Sequence, residues 1–296
     1  MNQKNDFRSG FVAVVGKPNV GKSTLVNALL REKLSITTPK PQTTRQQIKG
    51  IYSDAKRQII FLDTPGFLKP RYELQEMMLE FIQRSLQGAD LILFVTDISD
   101  FPTDYDRELL ALISRLRIPR IAILNKLDLV SQNIIKEKKE ILKKFDFERI
   151  ETISALQLID RLELIDIITG YLPFNPPYYD PEEISDMPVR FFVQEIIREQ
   201  IFLLYQKEIP YSASVVVERF IETDNRIDID VNIWLERKSQ KIIFIGRKGK
   251  MIKKVRENSE KEIYDLLGKR AVLHLWVKLK PHWRKKKNAL KEFGYK

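Results

Sequence analysis

Phe11-Val-Ala-Val-Val15 leads straight into Gly16-Lys17-Pro18-Asn19-Val20-Gly21-Lys22-Ser23-Thr24, and this stretch decides the first half of the molecule. The apolar run, rich in β-branched residues and bounded by glycine, reads as a buried strand. A helical pattern follows from Lys22 to Leu30. The turn between them fits G-x-x-x-x-G-K-[ST] in the strand-to-helix context that its chemistry requires. Successive backbone N–H groups make a concave nest for phosphate oxygens, and the helix start adds positive potential. Gly16 and Gly21 let the backbone approach the phosphates. Lys22 can set its ammonium on the β- and γ-phosphates, and Ser23 can ligate Mg²⁺. All nine residues from Gly16 to Thr24 are expected to line a nucleoside triphosphate.

The chain then alternates. Gln47–Tyr52 and Arg57–Leu62 read as a hairpin, and residues 33–46 have the Ser, Thr, Pro and Gln content of a loop. Helical patterns at Tyr72–Leu86, Asp104–Leu116, Gln132–Phe145 and Ile159–Tyr171 alternate with strands at Asp90–Thr96, Arg120–Leu124 and Arg149–Ile153. This predicts an α/β domain with a mostly parallel sheet covered on both faces.

Three strand ends narrow the nucleotide. Asp63-Thr64-Pro65-Gly66 offers a carboxylate for Mg²⁺ and a Gly66 N–H for the γ-phosphate. Asn125-Lys126-Leu127-Asp128 offers a carboxylate to the ring N–H and exocyclic amine of guanine, with the Lys126 stem over the ring. Ser154-Ala155-Leu156 can present the Ala155 N–H to the guanine carbonyl.

The 296 residues carry a net charge of +11, placed unevenly. Residues 241–296 hold 18 Lys/Arg against 5 Asp/Glu, whereas residues 181–240 hold 7 against 12. Such a basic end suits polyanions, nucleic acid or anionic lipid. The chain has no cysteine and two histidines, which excludes thiolate catalysis, cysteine-based zinc or iron–sulfur sites and a His-rich metal site. No apolar run reaches membrane-spanning length and the first ten residues have no apolar core, so a cytoplasmic protein is expected.

Residues 173–188 hold Pro173, Pro176, Pro177, Pro181 and Pro188, the composition of a linker. This gives a nucleotide domain at 1–176, a linker at 177–188 and a second domain at 189–296. In the second domain a helix at Val189–Tyr205 and strands at Ser212–Phe220 and Ile227–Leu235 precede a third apolar run, Lys241–Ile245. Then come Gly246-Arg247-Lys248-Gly249, a helix from Lys250 to Leu267 and a strand at Ala271–Leu279. Met251, Val255, Ile263, Leu266 and Leu267 mark the apolar side of that helix. The glycines allow close approach of a phosphate backbone, to which Arg247, Lys248 and Lys250 add charge. Trp234, Trp276 and Trp283 read as core, His274 as structural, and Lys285-Lys286-Lys287 as equally a phosphate contact or a solvated run.

The four nucleotide motifs, in order and each at a strand end, resemble a translational-type GTPase over about 170 residues. The resemblance implies that a threonine of Thr43-Thr44-Arg45 binds Mg²⁺ and closes on the γ-phosphate; Thr44 is favoured, with Thr43 open. Lys22, Thr44 and Gly66 are then the catalytic set, and Ser23, Thr44 and Asp63 the Mg²⁺ ligands. Ras-like proteins carry a glutamine after the D-x-x-G glycine, where this chain has Phe67, so slow intrinsic turnover is expected. Asn19 together with Phe67 resembles the subgroup in which that Asn helps bind K⁺. The Gly246–Gly249 segment resembles the loop of a KH domain.

Pro176-Pro-Tyr-Tyr179, Phe191–Glu199 and Leu275–Arg284 complete a resemblance, over nearly the whole chain, to the Era family of bacterial GTPases. It implies a type II KH domain, binding of small-subunit ribosomal RNA near its 3′ end, a role in assembly of the 30S subunit, peripheral contact with the cytoplasmic membrane, and a monomer. The segment after Ser154-Ala155 lacks the glycines usual in that family. Two other readings compete. A passive RNA scaffold would hold GTP without hydrolysing it, which Phe67 allows. A small-molecule kinase shares only the phosphate loop, and Asn125-Lys-x-Asp128 argues against it.

Overall fold

The computed structural model describes residues 6–295. They form two compact units: one of residues up to 35, 44–70 and 78–186, the other of residues 36–43, 71–77 and 187 onward.

The first unit is built on six strands, β1 (Arg8–Val15), β2 (Ile48–Ser53), β3 (Arg57–Asp63), β4 (Leu91–Asp97), β5 (Arg120–Asn125) and β6 (Arg149–Thr152). They lie in the order β2-β3-β1-β4-β5-β6. β2 is antiparallel to β3 and every other pair is parallel. Helices α1 (Lys22–Leu30), α2 (Glu73–Gln87), α3 (Asp104–Ile113), α4 (Gln132–Leu142) and α5 (Arg161–Gly170) connect them.

β1 reads as an unbroken apolar run because both of its faces are covered. Val12 and Val14 enter one core with Leu25, Leu29 and Ile165, while Ala13 and Val15 enter another with Phe94, Leu109 and Ile135. A fully buried Val, Leu, Ile or Phe side chain is worth about 1.5–3 kcal/mol. In an open parallel sheet of this kind, ligands bind beyond the carboxyl ends of the strands. Gly16, Asp63, Asn125 and Ser154 all lie there.

The second unit contains α6 (Val189–Leu204), α7 (Ile209–Ser212), β7 (Ser214–Glu222), β8 (Arg226–Leu235), α8 (Lys238–Ile245), α9 (Lys250–Leu267), β9 (Arg270–Leu279) and α10 (Lys287–Glu292). β8 is central, antiparallel to β7 and parallel to β9. This is the α+β arrangement expected of a type II KH domain. Val255 and Ile263 of α9 pack on Ile229, Val231 and Ile233 of β8. Leu266, expected on the same face, is 43% exposed.

The run Lys241–Ile245 is part of a helix and not a strand. Gln240 Oε1 accepts the N–H groups of Glu236 (3.1 Å) and Arg237 (3.0 Å), which fixes the helix start, and Gly246 at φ +72° ends it. Of its apolar residues only Phe244 is fully buried. The basic tail is folded rather than merely solvated. Trp283 is fully buried, its Nε1–H donating to the Ser212 carbonyl at 2.9 Å, and Phe293 and Tyr295 pack beside it.

Candidate functional site

The loop between β1 and α1 is pressed in on several sides. A Cβ on Gly16 would sit 2.1 Å from the Val95 carbonyl oxygen, and one on Gly66 would sit 2.6 Å from Pro18 Cα. Gly21 caps α1 at φ +94°, and Asn19 holds the left-handed region at φ +64°. Val20 is fully buried, while the Asn19 side chain is exposed. Lys22, 6% exposed, donates to the carbonyls of Gly16 and Lys17, each at 3.1 Å. Burial pushes its pKa down to about 8, against the opposing pull of Asp63. The Lys17 side chain leaves the loop in the other direction, towards α3.

Ser23 Oγ donates to Asp63 Oδ2 at 2.7 Å and lies 2.9 Å from Thr44 Oγ1. Thr43 turns the other way, its hydroxyl donating to the Lys40 carbonyl at 2.8 Å and lying 2.9 Å from Thr38 Oγ1. Of the two threonines it is therefore Thr44 that joins Ser23 and Asp63. Asp63 is fully buried, its pKa is raised by that burial, and its Oδ1 has no hydrogen-bond partner. A buried carboxylate with a spare oxygen beside two hydroxyls is a hard-oxygen donor set that fits Mg²⁺.

Thr64 donates from its hydroxyl to the Val14 carbonyl at 2.7 Å, and Pro65 and Gly66 are buried beside it. Phe67 puts its ring into the core with Val15 and Phe94, while its N–H donates to the Gly16 carbonyl at 3.0 Å. Its side chain thus packs the sheet, and only its backbone touches the phosphate loop.

At the base end Asn125 ties two loops together. Asn125 is 2% exposed; its Nδ2 donates to the Val20 carbonyl at 2.7 Å and its Oδ1 accepts the Ala155 N–H at 2.9 Å. The side chain is a bracket between the phosphate loop and the Ser154–Leu156 turn. The Ala155 N–H, expected to serve a guanine carbonyl, is engaged by that bracket. Leu156, next in the turn, is 81% exposed, and the Ser154 hydroxyl is buried with no partner. Lys126, at φ +65°, pairs with Asp97 at 2.6 Å. Burial would raise the Asp97 pKa, but bonds from Lys126 and Ser99 outweigh it and hold it low. Asp128 is exposed on the short turn Leu127–Leu129 and borders a cleft of about 300 Å³ with Ser154 and Leu158.

In the second unit, Gly246 and Gly249 stand at φ +72° and +73°, and Gly249 directly caps α9. Arg247, Lys248 and Lys250 are exposed, and Lys248 is itself left-handed at φ +51°. Next to the loop a cleft of about 440 Å³ is lined by Gly249, Ile252, Lys253, Arg256, His274 and Trp276. Trp276 is 47% exposed and 6.0 Å from the His274 ring, so it is not core. Its place on β9 beside cationic side chains gives the cleft an aromatic wall. The alternation of exposed and buried positions along β9 was the signal that could have found it.

Two family models match, a 50S ribosome-binding GTPase over residues 11–126 and a KH domain over residues 208–284. Over 294 residues, 99% of each chain, the protein is 39% identical to GTPase Era of Geotalea uraniireducens. The chain belongs to the Era family. The Era of Staphylococcus haemolyticus is likewise 39% identical over 98% of both chains. A crystal structure of Era in complex with MgGDPNP and nucleotides 1506–1542 of 16S ribosomal RNA aligns at TM-score 0.94 and 37% identity, covering 98% of this chain and 99% of that one. An Aquifex aeolicus Era variant bound to GDP·AlF4⁻ aligns equally well, at TM-score 0.94 and 37% identity. As an Era-family member the protein is a GTP hydrolase, with a P-loop GTPase domain followed by a KH domain.

Proposed function

We propose that this protein hydrolyses GTP to control its grip on small-subunit ribosomal RNA near the 3′ end, and that it acts in assembly of the 30S subunit. The observation that carries the reading is the coexistence in one chain of a guanine-nucleotide site and an open, cationic Gly246–Gly249 loop beside an aromatic-walled cleft. The RNA-bound Era relative supports the choice of RNA. Ser23, Thr44 and Asp63 hold Mg²⁺, which neutralises charge on the β- and γ-phosphates. Lys22 grips the same phosphates, and the Gly66 N–H meets the γ-phosphate. Asp128 selects guanine.

Turnover is slow because Phe67 offers no polar group to orient water. Asn19, exposed and left-handed in the phosphate loop, helps hold K⁺ there. The protein works as a monomer in the cytoplasm, where its ribosomal partner is. Its basic C-terminal region also suits peripheral contact with anionic lipid at the cytoplasmic face of the membrane.

The test is multiple-turnover GTP hydrolysis in K⁺ and in Na⁺ at one ionic strength, with and without an oligonucleotide of the 16S 3′ end. Faster turnover with K⁺ and a response to the RNA are expected. Equal rates in both salts would remove K⁺ from the site. Absence of RNA binding would remove the ribosomal reading.

A further inference from the structure

Lys17 stands in the phosphate loop yet sends its ammonium away from the phosphates. The side chain is 7% exposed and meets three partners near the start of α3. Its Nζ lies 2.7 Å from Asp100 Oδ1, 3.1 Å from Asp106 Oδ2 and 3.5 Å from Thr103 Oγ1. Asp106 is fully buried. One of its oxygens accepts the Thr103 N–H at 2.8 Å and hydroxyl at 2.7 Å; the other accepts the Thr96 hydroxyl at 3.0 Å. Capping α3 needs only the Thr103 bonds. The bonds to Lys17 and to Thr96, at the end of β4, are additional and tie the cap to the phosphate loop.

The consequence reaches the catalytic amine. The Lys17 carbonyl is one of the two oxygens that accept from Lys22 Nζ. The other, on Gly16, is shared with the Phe67 N–H. With its side chain drawn to Asp106 and its carbonyl turned to Lys22, residue 17 has both ends of its peptide geometry fixed. Electrostatics point the same way. A buried carboxylate near a triphosphate site repels the ligand unless a cation compensates it, and removing one partner of a buried pair leaves an uncompensated charge. Lys17 is the cation in direct contact with Asp106; it also pairs with Asp100, whose exposed carboxylate is solvated and needs it less.

We propose that Asp106, acting through Lys17, is a positioning residue for GTP hydrolysis: the buried pair holds the phosphate loop so that Lys22 meets the β- and γ-phosphates, and the ammonium partly compensates the buried Asp106 charge. The proposal rests on the GTPase chemistry of the first unit, and wild-type turnover run alongside separates failure of that chemistry from failure of the proposal.

The experiment measures GTP kcat and KM, GDP affinity and thermal unfolding for the full-length chain and its variants. Lys17→Met is expected to lower kcat/KM by about 10-fold or more, with most of the loss in kcat and a smaller loss in GDP affinity, because the β–γ contact suffers most. Lys17→Arg restores most of it. Adding Asp106→Asn to Lys17→Met recovers part of the loss, because the stranded carboxylate is gone. A capping role alone predicts a lower Tm with wild-type kinetics in the folded fraction, and no rescue in the double variant. Either result overturns the proposal. Should Lys17→Met fail to fold, Asp106→Asn keeps the side-chain shape and carries the same reading, and unchanged kinetics in it overturns the proposal equally.

Discussion

Two glycine loops in this chain use one backbone device for two sizes of anion. Gly16–Gly21 runs into α1 and Gly246–Gly249 into α9, and in each the last glycine caps the helix with positive φ. The surroundings differ. A Cβ on Gly16 would strike the backbone of Val95 and one on Gly66 would strike Pro18; in the second loop a Cβ on Gly246 would meet only the next helix's Met251, at 2.7 Å, and one on Gly249 meets nothing within 4 Å. The first loop has its lysines 17 and 22 buried, and the second has Arg247 and Lys248 exposed. Walls on several sides suit a small triphosphate held in one pose. An open loop beside a cleft suits a polymer that must enter and leave along its length. The helix start supplies the attraction in both, and the packing around it decides what is bound.

Substitutions that respect or violate the walls test this contrast. Gly16→Ala forces its Cβ against the Val95 carbonyl, and overpacking of this kind costs about 1–3 kcal/mol or more. GTP affinity, followed by fluorescent-nucleotide titration, should fall by about 100-fold. A variant that binds GTP normally would show the wall to be soft.

Arg247→Asp with Lys248→Asp should weaken an RNA oligonucleotide by about 10-fold. It should also flatten the plot of log affinity against log salt by about 1.4, the value for two lost contacts to a single strand. GTP affinity should not move. An unchanged salt slope would assign the RNA grip to the other basic side chains.

Lys22 gives a smaller, pH-dependent effect. Its pKa of about 8 lies below the ordinary 10.5. In protein stripped of nucleotide, the folded state therefore holds fewer protons than the unfolded chain between these values. Stability rises from about pH 8 to about pH 10.5, by about 3 kcal/mol at most. Nucleotide needs the charged amine, so GTP affinity should be about 4-fold weaker at pH 8.5 than at pH 7. Affinity flat over that range would mean that Lys22 stays fully charged.

Gly249→Ala should do least. It adds left-handed strain of about 1 kcal/mol with no clash, so Tm of the second unit should drop by only a few degrees. A large loss would show that the second loop is walled after all.

The nucleotide motifs were legible in the sequence because phosphate and guanine chemistry ties residue types to short spacings. β1 was legible because burial on both faces leaves an unbroken apolar run. What stayed hidden depends on partners far apart in the chain. The bonds of Asn125 to Val20 and Ala155 reach 105 and 30 residues away and are not written in the Asn-Lys-x-Asp spacing. Lys17 reads as a ligand contact until Asp106 is found 89 residues on. Trp283 reads as core and is buried, but its partner, the Ser212 carbonyl 71 residues away, could not be read from the tail. Ile242-Ile-Phe-Ile245 has strand composition, and a cap from Gln240 makes it a helix. The burial of Phe67 under the sheet could not be read from the loop motif around it.

Base recognition in one unit and backbone recognition in the other are separate devices. The most direct measurement is a pair of binding titrations on two full-length variants. Asp128→Asn should exchange its preference from GTP to XTP while binding a 16S 3′-end oligonucleotide as the wild type does, each measured with its preferred nucleotide saturating. The Arg247→Asp, Lys248→Asp variant should keep wild-type GTP affinity and bind the oligonucleotide about 10-fold more weakly. An Asp128→Asn variant that still prefers GTP, or a loop variant that binds the oligonucleotide with unchanged affinity, would contradict the account.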